Sequence, residues 1–260
     1  MTILEELSDY ARVRVREKKK LMGPEQIKEA AEALPPGDFA FERALRDKEM
    51  AFILEVKKAS PSKGIIAENF PYLEIAKEYE AAGADGISVL TEPKWFLGSE
   101  SYLKEISGEV SVPCIRKDFV VDSYMLYEAR LLGASAVLLI CAVLNDRELA
   151  EYLSVCEKLG LSALVEAHDA EEIRRALGAG ARLIGVNNRN LADFSVDTGN
   201  AGRLRELVPE NVAFVSESGV KDAEDIRKLR NAGIHAVLIG ETMMRAEDKS
   251  RKLAELKSLL

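Results

Sequence analysis

Apolar residues along this chain recur in two alternating modes. Short aliphatic and β-branched runs read as buried strands, and between them lie longer stretches whose apolar positions return every three or four residues, as on one face of a helix. Eight runs qualify as strands, near 51–57, 85–91, 112–117, 136–141, 162–166, 182–187, 212–217 and 235–240. A weak repeat appears when helix ends are aligned: YEAAGADGISVL, YEARLLGASAVLLI, RRALGAGARLIGV and KLRNAGIHAVLIG. Each is a helix end, a glycine and then a strand. Gly83, Gly133, Gly180 and Gly233 sit where a helix C-cap turns left-handed, and Gly160 in CEKLGLSALVEA adds an intermediate unit. Strands alternating with helices imply parallel pairing through right-handed crossovers. Eight such units fit an α/β fold, a single (β/α)8 TIM barrel, better than an open doubly wound sheet.

The first 50 residues fall outside the repeat. Residues 3–20 and 24–34 read as helices, and Leu34-Pro35-Pro36-Gly37 separates them from a third apolar segment, Phe39 to Lys48. The organisation predicted is an N-terminal helical extension, 1–50, packed on a barrel domain, 51–260. The basic run Lys18-Lys19-Lys20 reads as a solvated helix face.

Composition narrows the function classes. Hydrophobic residues make up 47% and charged residues 31%, enough to fill a core in a soluble protein. The net charge of −8 argues against a nucleic-acid or anionic-membrane binder, whose phosphate contacts need a basic surface. No apolar run reaches the roughly 18 residues needed to cross a bilayer. The charged N-terminus MTILEELSDYARVRVREKKK has no secretory h-region. Cys114, Cys141 and Cys156 lie in apolar contexts without CxxC spacing and read as reduced core residues of a cytoplasmic protein. Two histidines, His168 and His235, are too few and too far apart for the usual zinc patterns.

In a parallel barrel the catalytic groups come from the C-terminal ends of the strands. Here those ends carry Glu55-Val56-Lys57, Arg116-Lys117-Asp118, Glu166, Asn187-Asn188-Arg189, Glu217-Ser218-Gly219 and Gly240-Glu241-Thr242. A single polar residue at a strand end is more often a cap or a rim ion pair. Asp169-Ala-Glu-Glu172 fits a helix capping box with no chemistry needed. Strand alternation, however, points Glu55, Lys57, Lys117, Glu166, Asn187 and Glu217 into one barrel mouth. Pairing Glu55 and Lys57 on one buried face rarely stabilises a fold, so their placement asks for a ligand. Ser216-Glu-Ser-Gly219 and Ile239-Gly-Glu241 match the positions where barrels hold phosphate, with Lys57 or Ser60 able to complete the neutralisation. Gly178-Ala-Gly180 follows a helix and precedes a strand, the wrong order for a dinucleotide fingerprint.

These residues closely resemble the indole-3-glycerol-phosphate synthase family of tryptophan biosynthesis. The resemblance is carried by ILEVKKASPSKG, ISVLTEPKWFLGS, PCIRKDFVVDSYMLYEARLLGASAVLLI, ALVEAHD, LIGVNNRNL, VSESGV and LIGETMMR, in family order. It implies a lyase that needs no metal or organic cofactor. Its substrate would be 1-(2-carboxyphenylamino)-1-deoxyribulose 5-phosphate, and its products indole-3-glycerol phosphate, carbon dioxide and water. By the same resemblance Lys117 is the general acid and Glu166 handles protons in the dehydration. Glu55 and Lys57 complete the charged cluster, Asn187 binds the ribulose portion, and Glu217 and Ser218 line the site. Crowding these acids and bases together is expected to move their pKa values toward working pH. Phe96, Phe119 and Leu138 are candidate apolar walls for the anthranilate ring, each of which could equally be core, with core the stronger reading for Leu138, and Arg189 is a candidate partner for the carboxylate. Gly219, Gly240 and Glu241 are the expected phosphate contacts. Some family members have Ser where Glu241 stands, so its carboxylate must turn outward while its backbone N–H makes the contact. The expected assembly is a monomer or weak homodimer acting on a small phosphorylated molecule, with no nucleic-acid or membrane partner.

Two other readings fit parts of the pattern. One is a Schiff-base aldolase using Lys117; the other is a non-catalytic barrel that senses a phosphorylated ligand. Binding alone does not need both an acid and a base, which weighs against the second.

Overall fold

The computed structural model describes residues 2–189 and 195–260. Its centre is a closed ring of eight parallel strands: β1 (Ala51–Val56), β2 (Gly86–Leu90), β3 (Cys114–Lys117), β4 (Ala136–Ile140), β5 (Ser162–Ala167), β6 (Leu183–Asn187), β7 (Ala213–Glu217) and β8 (Ala236–Ile239). Each strand pairs with its sequence neighbours. The ring closes where β1 meets β8, from Ala51 opposite Ala236 to Leu54 opposite Ile239. All eight expected strands are present, with ends shifted by a residue or two. A two-residue antiparallel pair, Ala59–Ser60 with Gly64–Ile65, projects from the loop after β1.

Both faces of every strand are buried, which is why the sequence shows near-continuous apolar runs rather than clean alternation. Outward residues such as Phe52, Leu54, Val89, Leu139 and Phe214 pack beneath the surrounding helices. Inward residues, among them Ile53, Ile115, Leu164, Val215 and Leu238, fill the barrel interior. The five glycines at 83, 133, 160, 180 and 233 all have positive φ, as the helix-end repeat predicts.

Three helices precede β1: Ile3–Leu21, Pro24–Glu32 and Ala40–Arg46. The third seals the N-terminal end of the barrel. Phe41 and Leu45 are fully buried against the interior layer, and the Glu42 N–H donates to Ser162 Oγ at 3.0 Å. Gly86 at the start of β2 leaves room for Phe41, since a Cβ there would lie 2.8 Å from the ring. The first helix crosses the opposite end, where Ile3 and Leu7 border the cavity of the mouth.

The run Lys18-Lys19-Lys20 departs from its expected solvated face. Lys18 pairs with Glu128 at 2.5 Å and also with Glu100, and Lys19 pairs with Asp122 at 2.6 Å. Only Lys20 faces solvent, paired with Glu17 on its own helix. The acids that draw in Lys18 and Lys19 lie 80 or more positions downstream, so no local pattern could announce them.

Replacing Phe41 with Ala removes the plug and leaves a cavity. Urea unfolding should show a loss of about 3–5 kcal/mol, the usual cost of truncating a buried aromatic. A loss below 1 kcal/mol would show that the third helix contributes little to closing the barrel.

Candidate active site

Strand alternation carries the apolar interior directly into a charged layer. Inward Ala51 and Ile53 are followed on the same face by Glu55, Ile115 by Lys117, Leu164 by Glu166, and Val215 by Glu217. Leu183 leads to Asn187 past Gly185, and Leu238 leads to Gly240. These ends open into a cavity of about 710 Å³. Glu55, Lys57, Lys117, Glu166 and Asn187 all line it. Glu217, at 1% exposure, does not; it meets the site through its ion pair with Lys117.

The charged layer is tightly paired. Lys117 Nζ lies 2.6 Å from Glu217 Oε2 and 3.6 Å from Glu55 Oε1, while Lys57 Nζ lies 2.5 Å from the other Glu55 oxygen. Asn187 donates to Glu166 Oε2 at 3.3 Å. The pKa shifts of Lys117 and Glu55 differ from expectation. Burial opposes charge on Lys117, but the carboxylates of Glu217, Glu55 and Glu166 prevail and raise its pKa above the ordinary lysine value. Burial likewise works against ionised Glu55, and Lys57 with Lys117 outweighs it, lowering that pKa. Opposite charges in contact stabilise each other's ionised forms and move both groups away from neutrality. Glu166 alone moves toward it, pushed up to about 7 by burial and by the charge of Glu217, with His168 and Lys117 opposing.

The residues on either side of Lys117 are buried and anchor it through ion pairs. Arg116 is 1% exposed and pairs with Glu100 and Glu128, each at 2.8 Å. Asp118 accepts from Arg14 of the first helix at 2.6 Å and from Thr91 at 2.7 Å. Lys117 is therefore held by strand geometry inside and by ion pairs outside.

The apolar side of the cavity is formed by Phe96 and Phe119, whose ring centres are 6.2 Å apart, with Leu138 at the floor. Leu138 also belongs to the barrel interior. Phe96 is set in place by fully buried Glu92, whose Oε2 accepts from the N–H groups of Trp95 and Phe96 at 2.8 and 2.9 Å. Arg189 borders the cavity beside Asn187, its backbone N–H donating to Asn187 Oδ1 at 3.0 Å.

Across the mouth stand Ser60, Ser218, Gly219, Gly240 and Glu241. Ser218 and Gly219 both have positive φ, +64° and +93°, a conformation that costs the serine energy and is typical of functional turns. Asn188 holds that turn, donating to Ser216 Oγ at 3.0 Å and to the Ser218 carbonyl at 3.1 Å. Gly240 is required for close approach: a Cβ there would sit 2.7 Å from Lys57 Nζ and collide with the Glu55 carboxylate. Thr242 ties the two turns together by donating to the Val220 carbonyl at 2.7 Å. Glu241 is turned to Arg245 at 3.1 Å and Lys63 at 3.7 Å, so two cations offset its charge.

Several residues of the site escape sequence reasoning. Lys63, Lys221 and Arg245 add positive charge around the same mouth. Ile3 and Leu7, one turn apart on the first helix, look like any apolar helix face until the chain folds back over the barrel. His168 stands behind Glu166, and its neighbour Asp169 caps the next helix, but Glu172 takes the His168 N–H instead of closing the expected capping box. The final Asn and Leu of LIGVNNRNL lie outside the described residues. Among the described residues no three His, Cys, Asp or Glu side chains converge as metal ligands would, and no helix is long and apolar enough to cross a membrane.

Comparison with known proteins agrees with this geometry. The family model "Indole-3-glycerol phosphate synthase" matches residues 4–256. An indole-3-glycerol phosphate synthase of Ruminiclostridium cellulolyticum is 54% identical over 256 residues, covering 98% of each chain. One from Lachnoclostridium phytofermentans is 46% identical over 270 residues, covering 99% of this chain and all of the relative. A solved structure of 3-hexulose-6-phosphate synthase superposes with a TM-score of 0.66 at 16% identity, covering 81% of this chain and all of that one, which speaks to the fold alone. The chain belongs to the indole-3-glycerol phosphate synthase family.

Proposed function

We infer that this chain closes the indole ring of 1-(2-carboxyphenylamino)-1-deoxyribulose 5-phosphate, releasing carbon dioxide and water to give indole-3-glycerol phosphate. The observation that carries the reading is the meeting in one cavity of Lys117, paired with Glu217 and Glu55, and of Glu166, whose pKa burial pushes up to about 7. Ring closure needs a proton on the ribulose carbonyl oxygen as the carboxylated ring carbon attacks, and the Lys117 ammonium is the donor. Carbon dioxide then leaves that carbon. Dehydration removes the new hydroxyl as water and takes a proton from the ring system, a task suited to a carboxylate with pKa near 7.

The remaining residues bind and orient. Glu217 and Glu55 hold the ammonium of Lys117 in place. Phosphate is proposed to sit at the Ser218-Gly219 and Gly240-Glu241 turns, with Lys57 and Ser60 at its edge. Phe96, Phe119 and Leu138 enclose the anthranilate ring, Arg189 meets its carboxylate, and Asn187 holds the ribulose. The proposed assembly is a monomer or weak homodimer. The proposed division is a helical extension, 1–50, and a catalytic barrel, 51–260. Three buried free cysteines support a reducing, cytoplasmic setting.

A Schiff-base mechanism is disfavoured, because a nucleophilic lysine must be neutral and Lys117 is held charged. Borohydride added with substrate should leave no lysine adduct; a stable adduct on Lys117 would overturn the acid role.

Supplying the carboxyphenylamino-ribulose phosphate and following indole absorbance tests the activity itself. Lys117→Ala should lower kcat by about 10²–10⁴-fold, the range for loss of a positioned acid, with the barrel still folded by circular dichroism. Near-normal turnover would refute the assignment.

The pH profile should show kcat/KM rising through an apparent pKa near 7, because Glu166 must be ionised to accept a proton. Glu166→Gln should abolish that limb along with most activity.

A further inference from the structure

Outside the residues assigned above, one titratable side chain stands directly against a reacting carboxylate. His168 follows β5 and shares no role with His235, which lies at the opposite end of the barrel and accepts from the Phe214 N–H at 3.1 Å. Glu172 grips His168 twice: one carboxylate oxygen takes the backbone N–H at 2.8 Å and lies 3.1 Å from ring Nδ1. The His168 carbonyl accepts from Asn200 at 3.4 Å, so the main chain is fixed as well. With Nδ1 given to Glu172, the other ring nitrogen turns inward. Nε2 is buried, makes no hydrogen bond, and lies 3.4 Å from Glu166 Oε1. The second Glu166 oxygen belongs to Asn187. The carboxylate is thus flanked on its cavity side by an amide and on its outer side by an imidazole.

The surroundings make that imidazole a cation. Burial works against charge on His168, but the bond to Glu172 and the carboxylates of Glu166, Glu172 and Glu217 raise its pKa to about 9. No cation packs on it from the neighbouring helix, since Arg175 is spent on Asp146 at 2.6 Å and on the Cys141 carbonyl at 3.0 Å. The Cys141 thiol donates to the Glu172 carbonyl and is itself shifted upward by burial, so it stays neutral. Of the groups facing Glu166, Glu217 favours its protonated form, whereas Lys117 and His168 favour its ionised form. Lys117 is already shared with Glu217 and Glu55.

We propose that His168, oriented by Glu172, is a positioning residue for ring closure: its ring cation sets the protonation of Glu166 from outside the cavity without touching substrate. The proposal rests on the proton-handling role inferred for Glu166. It gives Glu172, which reads as a helix-capping residue, a second duty.

The test is the pH dependence of kcat/KM for the wild type, His168→Gln and Glu166→Gln. Glutamine keeps an N–H near Glu166 but carries no charge. Removing a cation favours the protonated carboxylate, so the limb near pH 7 should move upward by about one unit in His168→Gln. A side chain that only supports the fold would lower stability or kcat and leave the limb where it was. An unmoved limb in His168→Gln, with the limb lost in Glu166→Gln, overturns the proposal and leaves the reading of Glu166 standing. A limb that survives in Glu166→Gln overturns both. Should His168→Gln not fold, proton NMR of the wild type decides, because only two histidine ring signals exist. His168 should remain protonated at pH 7 while His235 is neutral; two neutral rings at that pH would overturn the proposal.

Discussion

The site depends on one buried ammonium held between carboxylates. Lys117 reaches Glu217 and Glu55 inside a barrel whose interior is otherwise apolar, and Lys57 closes on the free oxygen of Glu55. Taking such charges out of water costs several kcal/mol apiece, and their mutual attraction offsets this only when geometry is good. The cluster is therefore weak as a source of stability. In the proposed mechanism its value lies in holding a proton donor beside a carboxylate whose pKa burial raises to about 7, at the place where an anionic substrate would complete the charge balance.

That constraint explains the structure around it. Arg116 and Asp118 spend their charges outside the barrel on Glu100, Glu128 and Arg14, leaving β3 no freedom to twist Lys117 away from the mouth. The first helix enters the same network through Arg14 and Lys18 while Ile3 and Leu7 border the cavity. The helical extension is thus continuous with the catalytic rim at one end and with the plug of Phe41 at the other. Fold and chemistry separate at this rim. The barrel fold is shared with 3-hexulose-6-phosphate synthase at 16% identity, so the fold by itself does not specify the chemistry.

Much of this was legible in the sequence, because it follows from a period of two. Once Ile53 is inside, Glu55 must be too, and the same step places Lys117, Glu166 and Glu217. The helix-end glycines marked the repeat because the left-handed C-cap is a local requirement. What stayed hidden depends on distant neighbours. Lys18 and Lys19 looked solvated because Glu128 and Asp122 are remote in sequence. His168 was weighed only as a zinc ligand, because its distance to Glu166 is set by how β5 meets the next helix. The upward shift of Lys117 and the downward shift of Glu55 follow from which partner each group touches, and that is a matter of ångströms.

The central claim is that Lys117 is kept protonated by its carboxylate partners. The most direct measurement is NMR titration of the Lys117 side chain in protein labelled with 15N-lysine, its signal identified by its absence from a Lys117 variant. On this account the Lys117 signal remains that of an ammonium when exposed lysines lose their protons near pH 10.5. A Lys117 that becomes neutral before the exposed lysines do would contradict it.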